Sequence, residues 1–194
     1  MKSLRISIVV LAGLLVTGAV ARGDTLQATL TGYEESPSVS TVANGDFRAI
    51  IEDGGAADHF HYSLTYSGLQ GTITQSHIHI ASPGVNGSIV IWLCQTDTNK
   101  DPTNLSGQCP PGKETEAVVT GKITSANVLG GNPPNPQQLT ANDLAEVIRA
   151  IRAGAAYANV HTDLSPSGEI RGQIEDKDKK DKDDRDNKGD KGRH

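Results

Sequence analysis

The chain has 194 residues, a formal net charge of −5, six histidines and only two cysteines. The acidity is concentrated between residues 22 and 175, where eight basic side chains face sixteen acidic ones, which excludes the basic footprint that a nucleic-acid-binding surface needs. With its ends set aside, this length suits one domain with its own core.

The chain opens with two positive charges in MKSLR, an apolar run ISIVVLAGLLVTGAV and the small-x-small triplet Ala19-Val20-Ala21. That order predicts a secretory signal peptide over 1–21. The run is about 15 residues, short of the roughly 20 a membrane span needs, and no second one follows. The expectation is a secreted or periplasmic protein with no transmembrane segment in the mature chain, a domain over 22–175 and a tail over 176–194.

Short runs rich in β-branched and aromatic residues then follow one another: LQATLTG, GDFRAIIE, DHFHYSLTYSG, TITQSHIHI, SIVIWLC, EAVVTGKI, AYANVHT and GEIRGQIE. Gly, Pro, Asn and Asp clusters separate them, so the prediction is an all-β sandwich or barrel. The Asn-Gly pairs at 44–45 and 86–87 suit chain reversals. Asn86-Gly-Ser88 and Asn104-Leu-Ser106 also match the glycosylation acceptor pattern.

Cys94 and Cys109 close a loop of about 15 residues, and in an oxidising compartment such a pair reads as a disulfide worth roughly 3 kcal/mol. Thiolate metal ligands are the competing reading, but the spacing does not suit a zinc knuckle. Within that loop Asp97, Asn99 and Asp101 have the first ligand offsets of a calcium loop. Pro102 and Gln108 then occupy the positions that need glycine and glutamate, which leaves a polar, disulfide-tied loop.

One helix interrupts the strands. TANDLAEVIRAIRAG offers Thr140 as N-cap with Asp143 three residues on, an apolar stripe of Leu144, Val147, Ile148 and Ile151, and Gly154 as stop. From Asp176 the chain has fifteen charged residues in nineteen and no apolar one, a composition that cannot offset the cost of ordering and predicts a disordered tail.

Strand alternation gives the histidines their interest. His59, His61, Ser63 and Thr65 share one face of their strand, opposite Phe60, Tyr62, Leu64 and Tyr66. Gln75, His77 and His79 share a face opposite Ile78 and Ile80, and Tyr157, Asn159 and His161 alternate with Ala156, Ala158 and Val160. Imidazoles two residues apart on a strand are about 7 Å apart, close enough to converge on one ion. Copper and zinc suit imidazole ligands. His77, His79 and His161 are the first candidates for a metal site, with His59 and His61 behind them; the alternative is a polar cluster that ties loops down. Trp92 reads as core. Glu169, Arg171 and Gln173 share a face near the C-terminus, and Glu169 with Arg171 reads as a structural polar network pinning the last strand. No nucleophile elbow, P-loop, dinucleotide fingerprint or zincin motif is present, so no catalytic residue is assigned.

Three stretches together, GYEESPSVSTVANG, YSGLQGTITQSHIHIASPGVNGSIVIWL and LTANDLAEVIRAIRAGAAYANVHTDLSPSGEIRGQI, resemble the CHRD domain, the module named after chordin and found in many secreted microbial proteins. The resemblance covers nearly all of 25–175. It implies an immunoglobulin-like Greek-key β-sandwich, here with the helix inserted before the last two strands. For function it implies a secreted binding or scaffold module whose partner is an extracellular or envelope protein or ligand. Glu35-Ser36-Pro37-Ser38 departs from the Val-Pro-Pro-type stretch usual in the family, and the Cys94–Cys109 insert and charged tail look like additions. The His-x-His pair is also similar to the copper-ligand pair of copper/zinc superoxide dismutase, an analogy over three residues that gives the metal-binding alternative its form.

Overall fold

A computed structural model describes residues 23–52, 59–130 and 137–177. The expected signal peptide, and the charged tail beyond its first two residues, lie outside the described residues. All eight expected strands form: β1 (Thr25–Thr31), β2 (Asn44–Glu52), β3 (His59–Ser67), β4 (Ile73–Ile80), β5 (Ser88–Gln95), β7 (Ala117–Ile123), β8 (Ala156–Thr162) and β9 (Ile170–Gln173). Two short strands are additional: β6 (Gly107–Gln108), parallel to β5, and β10 (Glu175–Asp176), which pairs with β1. The pairing of Leu26 with Asp176 carries ordered backbone into the first residue of the charged segment.

The strands run β6-β5-β4-β8-β9-β1-β2-β3-β7 in one hydrogen-bonded sheet, nearly closed into a barrel. The all-β expectation with one helix holds. The finer expectation of an immunoglobulin-like Greek-key sandwich is not confirmed, because hydrogen bonding runs without a break from one edge to the other instead of dividing the strands into two sheets. The reason lies in sequence that period-2 alternation cannot order: β8 and β9 insert between β4 and β1 and join the halves that a sandwich would keep apart.

The core follows the alternation. Leu26, Ala28 and Leu30 of β1, Phe47, Ala49 and Ile51 of β2, and Phe60, Tyr62, Leu64 and Tyr66 of β3 all point inward and are buried. Two of these aromatics also bridge the gap between the edges: Tyr62 donates its hydroxyl to the Leu93 carbonyl and Tyr66 to the Pro110 carbonyl, each at 2.6 Å. A tyrosine buried for its ring must still find a partner for its O–H, and here the partner lies across the seam.

The helix α1 (Leu144–Arg152) buries Leu144, Val147, Ile148 and Ile151 in the same core, the stripe that its spacing predicts. Its start differs from expectation. The N-cap is Asp143, whose carboxylate accepts from the Glu146 amide at 3.0 Å, not Thr140. Asn142 takes a positive φ of 66° just before it, which turns the chain too sharply for the helix to reach back to Thr140. The Asn-Gly pairs differ as well. Asn44-Gly45 lies inside β2, paired with Thr31 and Leu30, while Asn86-Gly87 closes the turn from β4 to β5, where the positive φ falls on Gly84.

Cys94 and Cys109 form a disulfide, which holds β6 against the end of β5. The calcium-loop resemblance dissolves in this segment: the Asp101 carboxylate is filled by the amides of Thr103, Leu105 and Ser106 and by the Thr103 hydroxyl. Replacing both cysteines by alanine is expected to cost about 3 kcal/mol from the loop length alone. Urea unfolding of the double variant beside the parent measures it; equal midpoints would mean that Tyr66 and the Asp101 turn hold this loop without the bond.

Candidate metal centre

The histidine-bearing face of β4 and β8 lies on the outside of the barrel, yet it is buried. The register sets His77 opposite Asn159, His79 opposite Tyr157 and Gln75 opposite His161. On the flanks, Trp92 of β5 stands opposite His77 and Arg171 of β9 opposite Asn159. The pairing of β4 with β5 slips on both sides of the His77–Ile78 pair. Such bulges re-aim side chains, and here four consecutive residues, Ser76 to His79, are all buried. His77 has no exposed surface, and His79 and His161 keep 6% each.

Loops cover this face through hydrogen bonds to the histidines themselves. His79 Nδ1 lies 2.9 Å from the Gly87 carbonyl and His161 Nδ1 2.9 Å from the Pro166 carbonyl. A carbonyl can only accept, so both Nδ1 atoms carry the proton and both Nε2 atoms present a lone pair in the neutral rings. His161 Nε2 is 3.2 Å from His77 Nδ1, which therefore donates to it. The remaining nitrogen of His77, Nε2, then also presents a lone pair. Neither His77 Nε2 nor His79 Nε2 has a hydrogen-bond partner.

Orphaned polar atoms gather here. Among the described residues five buried side-chain atoms lack a partner, and four of them are His77 Nε2, His79 Nε2, Asn159 Oδ1 and Glu35 Oε1. Each such atom costs on the order of 1–3 kcal/mol when left unpaired, so a cluster of them on one face asks for a ligand. One ring nitrogen from each of His77, His79 and His161 lies within 4.8 Å of the others. An ion bound between His77 Nδ1 and His161 Nε2, 3.2 Å apart, would replace their hydrogen bond, with the His77 proton moved to Nε2 or lost; that spacing is close to the ~3.3 Å edge that bonds of about 2.0–2.1 Å span at a tetrahedral angle.

Burial also fixes the charge state. It holds the His77 imidazole well below its ordinary basicity, with the neighbouring His161 and His79 adding to the effect. Burial likewise lowers His79 to about 4 and depresses His161. Neutral imidazole is the form that ligates a metal, and burial favours that form in all three rings.

The walls are aromatic and cationic. Trp92 is buried, as the sequence predicts, and stands edge-on to His77 with ring centres 4.3 Å apart. Tyr157 stacks flat on His79 at 4.7 Å, and the Arg171 guanidinium lies 3.4 Å from the centre of the tyrosine ring. Arg171 donates to Asn86 Oδ1 and to the Val85 carbonyl. Beyond it sits Glu35, whose carboxyl is pushed up to about 7 by burial against the opposing pull of Arg171.

Glu169 plays a different part. Its carboxylate accepts from Thr41 Oγ1, Thr162 Oγ1 and the amides of Gln70 and Gly71. It binds three loops together and leaves Arg171 to other partners.

His59 and His61 do not join the trio. They lie on β3, separated from β4 and β8 by β2, β1 and β9 along the sheet, and form a group of their own with Glu52. Sequence alternation identified the five histidines and the two faces; it could not rank the strands as neighbours. Tyr157 was readable as a member of the histidine face, whereas Glu35 comes from a loop with no periodic signal.

A family model of the CHRD domain matches residues 26–174. No curated protein and no solved structure matches the chain.

Proposed function

The chain belongs to the CHRD domain family, and from that premise we propose that it is an exported, non-catalytic module that holds a copper or zinc ion on His77, His79 and His161. The observation that supports this most directly is the convergence of three buried, neutral imidazoles, two of them with an unpartnered nitrogen. Nitrogen-only donors suit copper and zinc and do not suit calcium or magnesium, which take oxygen ligands. Two of the imidazoles already have the backbone carbonyl that orients a metal-bound histidine through its other nitrogen. Asn159 Oδ1, unpartnered beside them, is available to the same ion or to a water on it. Export is supported by the leader-like first residues and the disulfide. No helix among the described residues is long and apolar enough to cross a membrane.

A second reading rests on the same hydrogen bonds. His79 holds the Gly87 turn and His161 holds the Pro166 turn, so the trio also serves a scaffold module that displays those loops to an envelope protein or ligand. Elemental analysis of the exported, disulfide-intact protein separates the two, with His77→Ala/His79→Ala as control. Near-stoichiometric copper or zinc, absent from the variant, is the expected result. A protein that contains no metal and takes up none on titration leaves the scaffold reading alone.

A further inference from the structure

We infer that Glu52, His59 and His61 form a second transition-metal site, open to solvent and independent of the buried trio. The β2–β3 register places Glu52 directly across from His59, and strand alternation puts His61 on the same outward face two residues on. One ligand atom from each of the three lies within 4.8 Å of the others. His59 Nε2 is 3.2 Å from Glu52 Oε2, and the two imidazole rings meet edge to face with centres 5.5 Å apart, as those of His77 and His79 do. The same His-x-His geometry therefore occurs twice in the fold, once buried and once at the surface.

The surface version differs in ways that set its chemistry. His59 is half-buried while Glu52 and His61 are exposed, so an arriving ion keeps part of its water shell and little desolvation cost arises. A carboxylate joins the two imidazoles and offsets one of the positive charges of a divalent ion. Two nitrogens and one oxygen suit Zn(II), Cu(II) or Ni(II). The opposing influence is Lys122 of β7, which pairs with His61 on the side away from β2; its long side chain can turn its ammonium into solvent. This site is accordingly weaker and faster to exchange than a buried one. A bare Glu–His contact at a surface would contribute between zero and about 1 kcal/mol to stability, so stability does not account for three convergent ligands here.

Calorimetric titration of the metal-free protein with Zn(II) tests the inference, run on the parent, on His61→Ala and on Glu52→Gln. His61 is exposed, so its removal leaves folding intact, and circular dichroism verifies that. The parent is expected to take up two equivalents, the weaker class losing at least about tenfold in affinity in either variant while the tighter class stays unchanged. If the buried trio binds nothing, the parent takes up one equivalent that His61→Ala abolishes; that outcome overturns the trio and keeps this site. Identical isotherms for all three proteins overturn this site and leave the trio untouched.

Discussion

Glu169→Ala is expected to be the most destabilising single substitution in the domain, costing about 3–5 kcal/mol. The carboxylate is 1% exposed and accepts four hydrogen bonds, from Thr41 Oγ1 at 2.9 Å, Thr162 Oγ1 at 2.8 Å, and the amides of Gln70 and Gly71 at 2.8 and 3.3 Å. Hydrogen bonds to a charged acceptor are worth more than neutral ones, and truncation leaves four donors facing a hole. The two backbone amides matter most, because Gln70 and Gly71 connect β3 to β4 and cannot turn away to water without moving that connection. Gly71 is already held tightly: a Cβ there would lie 2.5 Å from the Thr162 side chain. Glu169→Gln keeps one acceptor oxygen but points an amide NH2 at groups that are themselves donors, so its cost is expected to be smaller and still well above that of a surface change. Denaturant unfolding of the two variants measures the difference. Alanine and glutamine variants that unfold together, both within about 0.5 kcal/mol of the parent, would show that these loops are held by something other than this carboxylate.

The strands β1, β2 and β3 were legible because each buries one face only, so that the period of two in HFHYSLTY or LQATLT reports which face is core. The histidine face was legible by the same period: Gln75, His77 and His79 alternate with isoleucines as Tyr157, Asn159 and His161 alternate with small apolar residues. What alternation cannot report is which strands are neighbours. Whether His161 or His61 lies beside His77 depends on β8 pairing with β4, a contact between residues some eighty positions apart that local pattern does not encode. Burial of the face was hidden too. A polar strand face reads as solvated, and only the loops carrying Glu35, Gly87 and Pro166 close over it. Those loops are irregular, so Glu35 had no signal at all. The burial of Trp92 was legible in SIVIWLC, but its place beside His77 was not, because that depends on the pairing of β5 with β4 and the bulges there.

Acidification is expected to unfold the metal-free domain through the histidine trio. All three imidazoles are depressed in the folded state, chiefly by burial. A group whose folded value lies below its unfolded one binds fewer protons in the native state, so its stabilisation is complete above 6.5 and is lost as the pH falls toward the folded value. For His79 alone the drop from 6.5 to about 4 corresponds to about 3 kcal/mol, and His77 and His161 act in the same direction. Glu35 works against them. Burial raises its carboxyl from 4.5 to about 7, so it favours the native state most fully below 4.5 and that contribution fades as the pH rises to about 7, again by about 3 kcal/mol. The windows overlap, and three imidazoles outweigh one carboxyl, so stability should rise from 4.5 to 6.5 and flatten or dip slightly above. Glu35→Gln should remove the opposing slope, making the acid loss steeper and the neutral form more stable. Bound copper or zinc adds a further distinction: an ion on the trio stabilises only the native state and competes with the same protons, so the loaded protein should resist acid down to a lower pH than the metal-free one. Urea midpoints across this range, with and without a chelator, measure all of these at once. A metal-free midpoint that does not fall on the acid side of 6.5 would contradict the buried neutral histidines on which the candidate centre depends.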